Sequence, residues 1–171
     1  MQRAAPALRG YAAYKLAWVH INGADHDRAW EALRQARLAG ERGEVPVGAV
    51  LVAPSGAVVA RAGNRTRETN DPSAHAEMLA IRAACTAAGS ERLPGHVLYV
   101  TLEPCAMCAA VIAAARLARV VYGAADPKSG GVDHGARVFS HSQAHHAPEV
   151  VGGIAEADCA TLLREFFAGR R

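Results

Sequence analysis

The sequence has few cysteines and lacks the long apolar stretch that a membrane helix requires. Two of its four cysteines stand in a C-x-x-C pair, a frequent metal-binding pattern, so no disulfide framework remains. No uninterrupted apolar run reaches the roughly 18–20 residues needed to cross a bilayer. We therefore expect a cytoplasmic protein without membrane association, because a reducing compartment suits unpaired thiols.

Acidic residues are missing from the start of the chain, where none precedes Asp25. Basic residues, a proline and a glycine stand among alanines there, and the apolar stretch is too short and too interrupted for a signal peptide. We expect residues 1–25 to be a flexible N-terminal extension. Residues 26–171 are expected to form one domain, since a chain of 171 residues that is 51% hydrophobic suits a single well-packed core.

The overall charge favours no class of partner strongly. A net charge of +3 permits binding to a polyanion without requiring it. An ordinary soluble protein could carry the same charge, so the class of partner has to be inferred from the sequence motifs.

Apolar residues recur first at helical spacing and then in short continuous runs, so helices and strands alternate along the chain. The expected helices cover 27–40, 74–88, 104–118 and 156–167, and the expected strands cover 45–52, 58–60, 97–102 and 120–122, with an irregular segment over 123–148. Ser73 is expected to cap the second helix, and Pro104 to occupy the first turn of the third. Strands separated by helices predict an α/β domain with one mixed sheet.

Two short runs carry the chemistry: H-A-E at 75–77 and P-C-A-M-C at 104–108. His75, Cys105 and Cys108 supply one imidazole and two thiols, the ligand count of a catalytic zinc site that keeps a fourth position for water. Glu77 stands two residues beyond the histidine, where a carboxylate can take the proton of that water and deliver it to a leaving group.

Each part of this pattern has a less specific interpretation. A lone C-x-x-C is about as often a structural zinc half-site or a redox pair, and a lone histidine is more often an ordinary core or surface residue. A structural zinc site needs a fourth ligand, whereas Cys85 and Cys159 stand alone. The combination H-x-E … P-C-x-x-C is typical of zinc-dependent nucleobase deaminases.

From about residue 27 to its end, the chain resembles the bacterial tRNA-specific adenosine deaminases of the cytidine deaminase superfamily. The resemblance extends beyond the zinc signature to E-V-P-V-G-A-V-L-V at 44–52, G-N-R at 63–65, D-P-S-A-H-A-E at 71–77, L-Y-V-T-L-E-P-C-A-M-C at 98–108, R-V-V-Y-G-A at 119–124 and D-P-K-S-G at 126–130. It implies a three-layer α/β/α sandwich with one mixed sheet of about five strands. It also implies a homodimer with one Zn²⁺ per subunit and no organic cofactor.

The same resemblance implies a substrate and a set of site residues. Such proteins convert adenosine to inosine at the wobble position of a tRNA anticodon, typically that of an arginine tRNA. The implied roles are metal ligation by His75, Cys105 and Cys108, proton transfer by Glu77, donation from the Ala76 N–H to the metal-bound water, base recognition by Asn64, and pocket lining by Val45 and Leu102. Asn64 could instead be a turn residue, and core packing explains Val45 and Leu102 equally well.

Besides the first 25 residues, two segments depart from the family pattern: the loop 65–70 and the histidine-rich stretch 134–147. Both are expected where nucleic acid approaches, with Arg65 and Arg67 contacting phosphates of the anticodon stem-loop. His145 and His146 could form a second metal site, although a solvated loop is the simpler interpretation.

Two other functions stay open at this point. A deaminase of free bases or nucleotides, of the guanine or cytosine type, would keep the zinc motif but should lack basic residues around its site. A catalytically silent binding module need not keep Glu77. For assembly, the apolar helix face formed by Met107, Val111, Ala114 and Ala115 predicts a homodimer, with core packing as the competing explanation.

Overall fold

The computed structural model describes residues 23–169, in which four helices cover a five-stranded mixed sheet. The expected N-terminal extension therefore lies outside the described residues, except for 23–25. The helices are α1 (Gly23–Glu41), α2 (Ala76–Ala88), α3 (Ala106–Ala114) and α4 (Glu156–Ala168); the strands are β1 (Gly48–Val52), β2 (Val58–Gly63), β3 (Val97–Leu102), β4 (Arg119–Ala124) and β5 (Glu149–Gly152); a short 3₁₀ helix covers Val138–Ser140.

Both faces of the sheet are covered, which confirms the expected three-layer α/β/α fold. Ile81 of α2 and Ile112 of α3 share a buried cluster with Leu98. Ala32 of α1 shares a second cluster with Tyr99, on the opposite face. Because successive side chains of a strand point to opposite faces, neighbouring residues of β3 serve the two clusters in turn. Cys159 of α4 packs on the α1 side of the sheet.

The strand order β2-β1-β3-β4-β5 brings four chain segments to one edge of the sheet. Strand β1 is antiparallel to both β2 and β3, while β3, β4 and β5 are parallel. The start of β1 therefore lies beside the ends of β2, β3 and β4. The segments that follow or precede these strand ends, at residues 44–47, 64–75, 103–105 and 125–134, are thus neighbours, although they are far apart in sequence.

Helix α1 lies unusually close to this edge because β1 begins with a glycine. A Cβ on Gly48 would stand 2.1 Å from the carbonyl oxygen of Ala32 and 2.4 Å from the backbone nitrogen of Ala36. No side chain fits there, so glycine lets the helix pack directly on the strand.

Helix α1 begins four residues before the expected start. Asp25 is buried, accepts a hydrogen bond from the Tyr99 hydroxyl at 2.6 Å and pairs with Arg119 at 3.4 Å. This contact couples the first turn of α1 to the sheet. Residues 23–25, which the sequence placed in the extension, are therefore part of the folded domain.

Other element ends also differ from the expected ones. Ser73 does not cap α2, because its hydroxyl donates to Asp71 and His75 is the N-cap. Pro104 precedes α3 instead of opening it, and Cys105 is the N-cap. Helix α3 ends at Ala114, before Arg116, which adopts a left-handed backbone conformation.

Strand β5, Glu149–Gly152, was missed by the sequence analysis. It is four residues long, at the edge of the sheet, and pairs in parallel with β4. Such a short strand carries almost no alternating pattern of its own. No helix within residues 23–169 has the length and apolarity to cross a membrane.

Candidate active site

The N-termini of α2 and α3 bring the three expected metal ligands together. The ligand atoms of His75, Cys105 and Cys108 all lie within 4.8 Å of one another. Both thiol sulfurs are close to His75 Nδ1, at 3.7 Å for Cys105 and 3.5 Å for Cys108. Across residues 23–169, no other group of three or more histidine, cysteine or acidic side chains is arranged in this way.

The local chemistry of these side chains fits a zinc ion. His75 and Cys105 are N-caps, and Cys108 lies in the first turn of α3, where the positive end of a helix dipole favours thiolate over thiol. Hydrogen bonds with Cys108 and His75 lower the pKa of Cys105 to about 4. The hydrogen bond with Cys105, together with burial, raises the pKa of Cys108. One nitrogen and two sulfurs make the three-ligand set of a catalytic zinc site.

Glu77 stands in the first turn of α2 and is 3% exposed. Its Oε2 atom is a buried oxygen without a hydrogen-bond partner among residues 23–169. Burial raises the pKa of this carboxyl group, and the nearby His75 opposes the increase. A buried polar atom without a partner is unusual in folded proteins, so it indicates a place where a ligand or water belongs.

A cavity of about 210 Å³ opens beside the metal ligands. It is smaller than the roughly 300–1,000 Å³ of sites for drug-sized ligands, so it suits a single base better than a whole nucleotide. Its lining consists of Val45, Val47, Asn64, Thr66, His75, Glu77, Leu102, Glu103, Cys105, Asp126 and Ser129. The structure thus brings Asn64, Val45 and Leu102 to the cavity with the ligands and Glu77.

Asn64 is oriented by the backbone of α2. Its Oδ1 accepts a hydrogen bond from the Ala76 N–H at 2.9 Å. Because a backbone N–H can only donate, the oxygen must face Ala76, and the amide nitrogen remains for a ligand. The family resemblance implies that the Ala76 N–H donates to a metal-bound water; in this structure it donates to Asn64 Oδ1 and orients that side chain.

Arg65, the remaining predicted substrate contact, does not line this cavity. Its guanidinium group makes two hydrogen bonds to the Glu68 carboxylate, at 2.7 and 3.0 Å. It faces a separate depression that also includes Arg42 and Arg61. The position of Arg65 therefore fits a contact outside the base pocket, such as a phosphate.

Two buried glutamates beside the cavity were missed by the sequence analysis. Glu44, 1% exposed, accepts the N–H groups of Arg67 and Glu68 at 2.9 and 2.8 Å and the Thr66 hydroxyl at 3.1 Å. Glu103, 2% exposed, binds the loop after β4 in the same manner. The sequence did contain a signal for them. Glu44 precedes and Glu103 follows an apolar run that predicts a buried strand, and a buried carboxylate requires hydrogen-bond partners.

The histidine-rich stretch begins beside the cavity, where His134 binds Glu103, but His145 and His146 lie at the other end of α3. His146 Nε2 is 2.6 Å from the Leu117 carbonyl oxygen, and the Arg116 guanidinium donates to the His145 carbonyl. With nine residues in α3, these contacts lie roughly 13 Å from the Cys105 end of the helix. Within the described residues, His145 and His146 form no second metal group.

Comparison with known proteins agrees with the geometry. The family model of the cytidine and deoxycytidylate deaminase zinc-binding region matches residues 24–124. A tRNA-specific adenosine deaminase of Agrobacterium fabrum is 61% identical over 140 residues, which cover 82% of this chain and 91% of that protein. The chain belongs to the tRNA-specific adenosine deaminase family.

Solved structures extend the comparison to the fold. One, from work on A-to-I editing by tRNA:A34 deaminases at the wobble position, is 59% identical, with a TM-score of 0.78, and covers 80% of this chain and 99% of that one. A guanine deaminase from Nitrosomonas europaea shares the fold with a TM-score of 0.72 at 21% identity, covering 84% of both chains. Since enzymes for different bases share this fold, the fold alone does not define the substrate.

Proposed function

We propose that this protein is a zinc-dependent hydrolase that converts adenosine to inosine at the wobble position of a tRNA anticodon. The observation that carries the proposal is the arrangement of a three-ligand metal group and a buried carboxylate with one unpartnered oxygen at one base-sized cavity. The named activity of the closely similar relatives supports the choice of substrate.

The proposed chemistry divides the work among the side chains of the cavity. His75, Cys105 and Cys108 would hold zinc, which when bound supplies Lewis-acid activation of a water molecule. Glu77 takes a proton from the water that attacks C6 of adenine. It passes that proton to the ring nitrogen. It then takes the second proton from the new hydroxyl group on C6 and delivers it to the amino group, which leaves as ammonia.

Recognition of the base would depend on the asparagine and two apolar side chains. Asn64 presents its amide nitrogen as a donor, because its oxygen is committed to the Ala76 N–H. Val45 and Leu102 lie on the cavity wall and can pack against the faces of a purine ring. A donor aimed at one ring atom gives more discrimination between bases than apolar contact does.

An anticodon loop suits such a site better than free adenosine does. Its bases are poorly stacked, so turning one into a pocket costs less than extracting a paired base. Arg65 and Arg67 lie on the loop after β2, next to the cavity-lining Asn64 and Thr66, and would contact the RNA backbone. An arginine tRNA is the proposed substrate, and the cytoplasm is the proposed compartment.

We also propose a homodimer that is formed through α3. Its sequence A-M-C-A-A-V-I-A-A has no charged residue, and Ala106, Met107, Ala110 and Ala114 are exposed. Ala115, which the sequence analysis assigned to the dimer face, is 3% exposed and belongs to the core instead. Light scattering at micromolar concentration should give twice the chain mass, and a monomer would contradict the dimer.

The domain assignment remains part of the proposal. The deaminase domain would extend beyond the expected residues 26–171 to include residues 23–25, because α1 begins at Gly23 and packs, like α4, on the sheet that carries the metal ligands.

Incubation with an anticodon stem-loop tests the function directly. The protein is mixed with the arginine hairpin that carries adenosine at the wobble position, and nucleosides are analysed by mass spectrometry for inosine. A hairpin with guanosine at that position is the matched control, and free adenosine, guanine and cytosine are tested in parallel. Turnover of free guanine or cytosine without turnover of the hairpin would assign the protein to the small-molecule deaminases instead.

A further inference from the structure

Glu103 directly follows β3, and both oxygens of its buried carboxylate are engaged by one segment of chain. Oε1 accepts three backbone N–H groups and Oε2 accepts one backbone N–H and one imidazole nitrogen. The donors are Val132 N at 3.2 Å, Asp133 N at 2.9 Å, His134 N at 2.9 Å, Asp126 N at 3.0 Å and His134 Nδ1 at 2.7 Å.

The segment held by these bonds, residues 126–134, forms one wall of the cavity. Asp126 and Ser129 both line it. The Asp126 carboxylate accepts the N–H groups of Lys128 at 3.1 Å and Ser129 at 2.9 Å. Glu103 fixes Asp126, and Asp126 in turn fixes Ser129, so one carboxylate determines the position of both lining residues.

Two glycines bring this loop into direct contact with the metal-ligand segment. A Cβ on Gly130 would stand 2.5 Å from the carboxyl carbon of Glu103, and one on Gly131 would stand 2.4 Å from the backbone nitrogen of Ala106. The Gly131 N–H donates to the Pro104 carbonyl at 2.8 Å. The loop thus lies flush against the backbone on both sides of Cys105.

We propose that Glu103 is a positioning residue that holds loop 126–134 in place as the substrate-facing wall of the cavity. Its oxygens are saturated by the loop, so the carboxylate takes no part in proton transfer. Removing these bonds should weaken substrate binding more than it slows chemistry. The choice of RNA substrate in the test rests on the proposed function, whereas the role of Glu103 in holding the loop does not.

The test compares wild type with Glu103→Gln. Glutamine keeps the size of the side chain but replaces one acceptor oxygen with an NH₂ group, which faces backbone donors. Loss of charge-assisted bonds of this kind should raise KM for the hairpin by roughly tenfold or more, with kcat changed by less than about threefold. Zinc content should stay at about one per chain, since the ligands are untouched.

Hydrogen exchange provides a readout that does not depend on activity. In Glu103→Gln, the peptide covering 126–134 should exchange roughly tenfold faster than in wild type, because its backbone N–H groups lose their acceptor. A peptide from α2 should be unchanged.

Two further variants sharpen the test. His134→Ala removes only the side-chain donor and keeps four backbone bonds, so KM should change by less than about twofold. Gly130→Ala leaves Glu103 unchanged but displaces the loop, since the added Cβ would collide with the Glu103 carboxylate. It should reproduce the raised KM and the faster exchange, and it decides the matter if Glu103→Gln does not fold.

Unchanged KM and unchanged exchange in a folded, zinc-loaded Glu103→Gln protein would overturn the proposal. A fall in kcat at constant KM would also overturn it, because it would place Glu103 in the chemical step. If the wild-type protein leaves the hairpin unmodified, the proposed function fails, and the exchange comparison alone still decides whether Glu103 holds the loop.

Discussion

Glu77 and Glu103 are both buried at the same cavity, yet their surroundings are opposite. Glu103 receives five donors from loop 126–134, whereas Oε2 of Glu77 has no partner within residues 23–169. Burial raises the pKa of Glu77. Burial would also raise the pKa of Glu103, but the donors of His134 and Asp126 lower it below its usual value. The number of fixed donors decides whether a buried carboxylate is a structural anion or can carry a proton.

Glu44 extends the comparison to the other side of the cavity. Like Glu103, Glu44 is a buried carboxylate that holds a loop. It accepts hydrogen bonds from the backbone N–H groups of Arg67 and Glu68 and from the Thr66 hydroxyl. Two buried glutamates thus fix two loops that line the cavity, and the third faces the ligand position between them. Substitutions at these positions should therefore have different kinetic signatures.

The largest effect is expected for Glu77→Gln. Glutamine is nearly isosteric but cannot carry a proton, so turnover of the hairpin should fall by a factor of about 10² or more. Inosine formation and zinc content are measured on the same preparation. About one zinc per chain should remain, and activity close to that of wild type would contradict the assigned role.

Asn64→Ala should reduce kcat/KM by roughly 10- to 100-fold. It removes the proposed donor to the base and also leaves the buried Ala76 N–H without its acceptor. Asn64→Asp is the companion variant, because it keeps an oxygen for Ala76 and removes the amide donor, while it adds a carboxyl group of nearly the same shape. Steady-state kinetics should show that both variants lose base recognition; an Asp variant with wild-type kinetics would exclude the amide as a recognition group.

Glu44→Gln should lower the free energy of unfolding by about 1–3 kcal/mol, because backbone donors of a buried loop lose a charged acceptor. Chemical denaturation measures this change. Glu41→Gln is a suitable control, since Glu41 is exposed at the end of α1 and its substitution should stay within about 0.5 kcal/mol. Equal stability of the two variants would show that Glu44 does not fix its loop.

The smallest effect concerns the surface. Replacing Arg65 and Arg67 with alanine should weaken hairpin binding and make the slope of log K against log salt shallower by roughly 1–2. Each phosphate contact releases counterions when it forms, so binding with fewer contacts releases fewer of them. Arg28 and Arg92, at the opposite edge of the sheet, provide a double-alanine control of equal charge. Filter binding at several salt concentrations measures both; equal slopes would remove Arg65 and Arg67 from the interface.

The metal group could be predicted from the sequence because its spacing is local. His75 and Glu77 share one turn, Cys105 and Cys108 share another, and each pair stands at the start of a helix that the apolar pattern identifies. The same local patterns predicted an α/β domain with one mixed sheet, and the family resemblance implied its three layers. Helix and strand ends shifted, since tertiary contacts such as Asp25 with Tyr99 determine them, and the short edge strand β5 was missed.

The roles of Glu44 and Glu103 could not be read in the same way. Their partners lie 22–31 residues away along the chain and are mostly backbone groups, which leave no trace in residue identity. Arg65 shows that closeness in sequence can also mislead. It follows Asn64 directly, yet Asn64 lines the cavity whereas Arg65 faces the separate depression with Arg42 and Arg61.

The division of roles between Glu77 and Glu103 is tested most directly by turnover at saturating hairpin. Wild type, Glu77→Gln and Glu103→Gln are compared on one RNA, each with its zinc content determined. At saturation, Glu103→Gln should react within about threefold of wild type, whereas Glu77→Gln should be slower by about 10² or more. A Glu103→Gln protein as slow as Glu77→Gln, or a Glu77→Gln protein as fast as wild type, would contradict the assignment.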